Sequence, residues 1–215
     1  MKTILCFGDS NTWGYDPESG TRLPYEQRWP TVMQRELGGG FLVIPEGLNG
    51  RTTVFDDPFM PGRCGAAALP MLLDTHAPLD LVVIMLGTND VKRYFAVSSA
   101  QIARGMERLV SLVRVSEAGV NEAAPPVLVV APVPLVSMNA EMLPHFAPEE
   151  EAIQTSRELA RAYQAMAGEM GCAFFDGATT GAAIGSDGVH LHSSGQQALG
   201  AGIAREAAAM LNSHG

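Results

Sequence analysis

Acyl transfer through a hydroxyl nucleophile requires a serine, an amide and an Asp-x-x-His pair, and this chain carries all of them in three short polar clusters. Gly8-Asp9-Ser10 lies near the start, Gly87-Thr88-Asn89-Asp90 in the middle and Asp187-Gly188-Val189-His190 near the end. A serine hydroxyl is a weak nucleophile until a neighbouring base takes its proton. His190 is the natural base. Asp187 could orient the imidazole and stabilise its protonated form from the same tight turn, which Gly188 would help to make. The side-chain amide of Asn89 could donate to a developing oxyanion beside the backbone amides of Ser10 and Gly50. Each residue also has a plainer use. Serines after strands cap helices, asparagines there form turns, and a loop glycine such as Gly50 has many explanations. His192 is the rival base, while His76, His145 and His214 lie in less telling contexts. The His190-x-His192 spacing invites a metal, but no third ligand is well placed, so neither metal nor cofactor is expected. Asp9 and Asp90 read as helix caps and acceptors for loop amides.

These residues need a scaffold that gathers them. Apolar runs recur at Thr3–Phe7, Phe41–Ile44, Leu81–Leu86, Val127–Val130 and Ala173–Phe175. They are continuous rather than alternating, as in strands covered on both faces of a parallel sheet. Helical patterns fall between them at about 28–37, 65–76, 98–118, 149–170 and 194–212, with Gly119 and Gly171 where helices should stop and Ser194 opening the last. The alternation predicts a doubly wound α/β sandwich with right-handed crossovers. In such sheets ligands gather beyond the carboxyl ends of the strands. Ser10, Gly50 and Asn89 follow the first three strands, and Asp187 and His190 follow the last, so all map to one edge. The loops at 11–27, 51–64 and 132–148 are longer than the fold needs, which marks them as functional.

Composition narrows the classes. The 215 residues suit one domain, 47% of them are hydrophobic, and the net charge is −9. That charge argues against nucleic acid, whose binding rests on clustered Lys and Arg. No run is long enough to span a membrane, and no signal peptide is evident. The three scattered cysteines, Cys6, Cys64 and Cys172, read as reduced thiols of a cytoplasmic protein. A non-catalytic flavodoxin-like binding module is the alternative from another class. Gly8-Asp9-Ser10-Asn11-Thr12 matches a phosphate-cradling loop only in part, and Asp9 would repel phosphate.

In their order, the clusters resemble the SGNH (GDSL-type) hydrolase superfamily, and more closely its mycobacterial-type arylesterase/acyltransferase group. The closer likeness rests on Ile4–Ser10, Thr12-Trp13-Gly14, Glu46-Gly47-Leu48, Arg51-Thr52-Thr53, Asp56-Asp57-Pro58, Leu79–Val82, Ile84–Asp90 and Phe174-Phe175-Asp176. The resemblance implies a flavodoxin-like three-layer α/β/α sandwich with a five-stranded, mainly parallel sheet. It implies Ser10 as nucleophile, His190 as base, Asp187 as its partner, and Ser10, Gly50 and Asn89 as the oxyanion hole. The implied activity is hydrolysis of small, short-chain acyl esters, acetyl esters above all, with acyl transfer to alcohols, often in a homo-oligomer. Acetylated sugars are the alternative substrates. Asn11 departs from the usual leucine and Tyr15 from a second tryptophan. Asn11, Tyr15, Phe146 and Val189 are expected to line or approach the substrate pocket.

Overall fold

The computed structural model describes residues 1–146 and 148–212. Five strands, β1 Lys2–Gly8, β2 Phe41–Gly47, β3 Leu81–Met85, β4 Val127–Ala131 and β5 Ala173–Asp176, form one sheet in the order β2-β1-β3-β4-β5. Every pairing is parallel, so the sheet expected to be mainly parallel is parallel throughout. All residues of β3 and β4 are buried, which is why their sequences are unbroken apolar runs.

The helices among the described residues are α1 Ser10–Trp13, α2 Trp29–Leu37, α3 Gly65–His76, α4 Ser99–Arg114, α5 Leu143–Phe146, α6 Glu149–Met170 and α7 Ser193–Asn212. Successive strand side chains point to opposite faces. Leu5, Phe7, Val82 and Ile84 therefore meet α3, α4 and α6, while Ile4, Cys6, Leu81 and Val83 meet α2 and α7. The result is three layers, α/β/α. No helix among the described residues is long and apolar enough to cross a membrane.

Two helix ends differ from expectation. α7 begins at Ser193, one residue early, and α4 stops at Arg114, well before Gly119. The Gly119 amide instead donates to Ala123 O, and an added Cβ would stand 2.5 Å from that oxygen. This glycine is a point of close backbone approach rather than a helix stop. Gly171 does end α6, in the left-handed conformation.

Strand order reverses at β1, whose neighbours on either side are β2 and β3. Chains leaving the carboxyl ends of β1 and β3 diverge there and open a crevice. Ser10 follows β1 into this crevice and Asn89 follows β3.

Candidate active site

Ser10 is the first residue of α1. The carboxylate of Asp9 caps that helix by accepting the Asn11 amide at 3.0 Å. His190 arrives from the far end of the chain, in the segment between β5 and α7, and its Nε2 stands 2.8 Å from Ser10 Oγ. On the other side of the ring, Nδ1 lies 2.5 Å from Asp187 Oδ2. The second carboxylate oxygen, Oδ1, accepts the amides of Val189 at 2.9 Å and His190 at 2.8 Å. Gly188, at φ 79°, supplies the positive angle that closes this turn. Burial raises the Asp187 carboxyl, but the hydrogen bond and charge of His190 and the two amides outweigh it and hold the group below the usual carboxylate range. An ionised Asp187 fixes the ring so that Nδ1 carries the proton and Nε2 faces the serine.

Three potential oxyanion donors face the serine. The amides of Ser10 and Gly50 make no hydrogen bond among the described residues. Asn89 donates one Nδ2 hydrogen to Arg51 O at 3.1 Å, which leaves the other free. Arg51 is buried and stacked on Phe7, with the guanidinium 4.3 Å from the ring centroid. Its Nη1 donates to Gly8 O at 2.8 Å and also to Glu46 O. One side chain thus ties the ends of β1 and β2 together, and the same residue's carbonyl aims Asn89. Burial pushes the guanidinium down to about 10, against the opposing charges of Glu46 and Asp9. Behind Asn89, the fully buried Asp90 accepts Thr53 N at 2.9 Å and Thr53 Oγ1 at 2.5 Å. Burial raises both Asp9 and Asp90 to about 6.

Ser10, Gly50, Asn89 and His190 open onto a cavity of about 210 Å³. Tyr15, Phe146 and Val189 line it, and the Tyr15 ring packs against His190 with centroids 4.3 Å apart. Asn11 does not line it. Its Oδ1 accepts Leu191 N at 2.9 Å, and its carbonyl accepts Gln196 Nε2 at 3.0 Å, while Gln196 Oε1 takes Trp29 N at 2.8 Å. The polar residue in place of leucine braces the histidine segment against α1 and does not make a wall of the pocket more polar.

The model of the GDSL-like lipase/acylhydrolase family matches residues 6–198. The chain belongs to that family. A carbohydrate acetylesterase from Sinorhizobium meliloti, Est24, is 43% identical over 98% of this chain and 100% of its own, with a TM-score of 0.91. The native aryl esterase of M. smegmatis is 44% identical over 97% of this chain and 99% of its own, also at 0.91. A lipase/acylhydrolase from Enterococcus faecalis, at 22% identity over 98% of this chain and 97% of its own, shares the fold with a TM-score of 0.68. No curated protein matches the chain. This GDSL acylhydrolase is a carboxylic ester hydrolase, and the non-catalytic binding module is set aside.

The other histidines of the GDSL hydrolase are placed elsewhere. His192 is exposed and holds Ser194 through Nδ1, at 2.8 Å from Oγ. His76 pairs with Glu46 at 2.8 Å, and His214 lies outside the described residues. His145 does line the cavity, as do Asn49, Lys92 and Met142, which the sequence did not mark for the pocket, and Met60, which it offered as an apolar loop residue for either contacts or the pocket. One signal was available for Lys92. It follows Asn89 by three residues, and the short 3-10 turn Asn89–Val91 brings it back to the same side.

Proposed function

We propose that this hydrolase is a serine esterase of small, short-chain acyl esters, acetyl esters above all, working through an acyl-enzyme on Ser10. The observation that carries this reading is the continuous line from Ser10 Oγ through both ring nitrogens of His190 to Asp187, with contacts of 2.8 and 2.5 Å. In the proposed reaction Ser10 Oγ bonds to the ester carbonyl carbon while its proton passes to His190 Nε2. The oxyanion is received by the amides of Ser10 and Gly50 and the free hydrogen of Asn89. The tetrahedral intermediate then expels the alcohol, which takes the proton from His190. Water attacks the acyl-enzyme by the same steps in reverse roles. An alcohol entering in place of water gives acyl transfer, and the apolar side chains of Met60, Met142 and Phe146 at the cavity favour that exchange by disfavouring water.

The test is release of p-nitrophenol from p-nitrophenyl acetate by the native protein and by Ser10→Ala. The expected result is turnover that disappears with Ser10, and equal turnover in both would refute the reading. A second substrate class, O-acetylated sugars, is favoured by the full-length likeness to a carbohydrate acetylesterase. Rates on acetylated sugars and aryl acetates, measured side by side, separate the two. We further propose a cytoplasmic homo-oligomer. Free thiols at Cys6, Cys64 and Cys172 support the compartment. Assembly is supported by Phe59, 74% exposed and edge-on to Tyr94 in a cluster with Phe55 and Phe95. Light scattering of the purified protein checks the assembly.

A further inference from the structure

The residues that line the cavity include Lys92, His145 and His190 but no Asp or Glu. The whole chain, by contrast, carries 23 acidic against 14 basic residues. A lysine in the lining of a cavity without a lining carboxylate needs a reason. Its side chain is only 11% exposed, yet its ionic partner, Asp57 Oδ2, stands 3.6 Å from Nζ, beyond the length of a good hydrogen bond. That oxygen already accepts the Tyr94 hydroxyl at 2.7 Å. Asp57 Oδ1 is taken by the amides of Phe59 at 2.9 Å and Met60 at 3.1 Å. Asp57 thus offsets part of the ammonium charge without a close hydrogen bond, and Lys92 lines the cavity. Burial is the main influence on the Lys92 amine and lowers it below its ordinary range, against the pull of Asp57 and, more weakly, of Asp9 and Asp90. A group so placed gains most from an anionic oxygen that accepts its hydrogens.

Lys92 caps the turn that carries Asn89, and both residues line the same cavity. We propose that Lys92 forms a carboxylate subsite of the ester cavity, so that the preferred substrates are small esters bearing a carboxylate near the reacting carbonyl. The substrate statement rests on the esterase reading above, whereas the subsite itself is a binding property.

Matched ester pairs test the substrate statement. On the alcohol side the pair is 3-acetoxybenzoate and its methyl ester; on the acyl side it is monoethyl succinate and ethyl butyrate, followed by pH-stat. In at least one pair the native enzyme should favour the carboxylate in kcat/KM by about tenfold, the size of one charge-assisted hydrogen bond. Lys92→Met should erase that ratio and Lys92→Arg should restore most of it. A neutral preference in both pairs, or a ratio indifferent to Lys92→Met, overturns the proposal and leaves Lys92 as a tether for Asp57. Calorimetric titration of benzoate into Ser10→Ala and into Ser10→Ala/Lys92→Met tests the subsite without turnover. Binding should weaken about tenfold in the double variant. Equal or absent binding overturns the subsite. Benzoate binding that requires Lys92, with no ester turned over, would keep the subsite and refute the esterase reading.

Discussion

Different forces hold the two sides of the cavity. Ser10, Gly50 and Asn89 follow directly on the ends of β1, β2 and β3, and each is backed by buried hydrogen bonds: Asp9 to the Asn11 amide, Arg51 to Gly8 and Glu46, Asp90 to Thr53. Across the opening, Met142, His145 and Phe146 come from the segment between β4 and α6. That segment is held largely through its backbone: Arg93 N donates to His145 O at 2.9 Å, Val136 N to Gly188 O at 3.0 Å and Asn139 N to Asp187 O at 3.4 Å, beside turn contacts such as Asn139 Oδ1 accepting Met142 N at 3.0 Å. Hydrogen bonds of buried side chains fix the first side, and backbone bonds to neighbouring loops together with side-chain packing shape the second. The first suits chemistry that must be placed within tenths of an ångström, and the second suits a shape that substitutions can alter.

The sharpest break of this contrast is on the fixed side. Ser10→Ala should lower kcat on p-nitrophenyl acetate by about 10⁴-fold or more, and His190→Ala similarly, because the pair acts as a unit. Asn89→Ala should cost about 10²–10³ in kcat, the usual loss for one oxyanion donor, with KM nearly constant. A loss confined to KM would show that Asn89 holds substrate and not the transition state.

Next in size is a pH effect on stability. Folding raises Asp90 from 3.8 to about 6, so the folded state binds the proton more tightly than the unfolded one. The sign follows: the contribution of Asp90 is most favourable below pH 3.8 and is lost as pH rises through about 6. The stability of the native protein relative to Asp90→Asn should therefore fall over that window, by on the order of 2–3 kcal/mol. Urea unfolding of both at a series of pH values checks it. An opposite slope would mean that Thr53 stabilises the charged carboxylate more than burial opposes it.

Arg51→Met should lower kcat by about tenfold and the melting temperature by several degrees, since two carbonyls lose a buried donor. Arg51→Lys should recover part of both. A drop in melting temperature without a change in kcat would make Arg51 a brace of the sheet only. The smallest effect belongs to the packed side. Phe146→Leu should shift the ratio of butyrate to acetate hydrolysis by about threefold, as expected for a modest change in cavity volume. An effect on kcat as large as that of Asn89→Ala would erase the contrast between the two sides.

Much of the scaffold was legible because a strand covered on both faces must be apolar throughout, as Leu81–Met85 and Val127–Ala131 are. Ser10, Asn89 and His190 were legible as candidates because each follows a strand or its connecting segment at one edge of the sheet. The four-residue helices α1 and α5 are too short to show a period. Asn11 was misread for a related reason: adjacency to Ser10 does not tell which way a helical neighbour points, and here it points at Leu191. The role of Arg51 depends on a carbonyl 43 residues away, at Gly8. No local pattern announces such a bond. Lys92 was missed because only the direction of a single 3-10 turn brings it to the cavity.

The 180 residues between Ser10 and His190 have a consequence for the order in which the molecule is made. Chains leave the ribosome N-terminus first, so Ser10 emerges well before His190. Until α7 and the segment ahead of it dock on Asn11 of α1, through Gln196 and Leu191 respectively, Ser10 lacks His190 beside it. On the proposed mechanism the chain turns over no ester before that docking. On that mechanism, onset of turnover would time the docking of α7, not the collapse of the sheet.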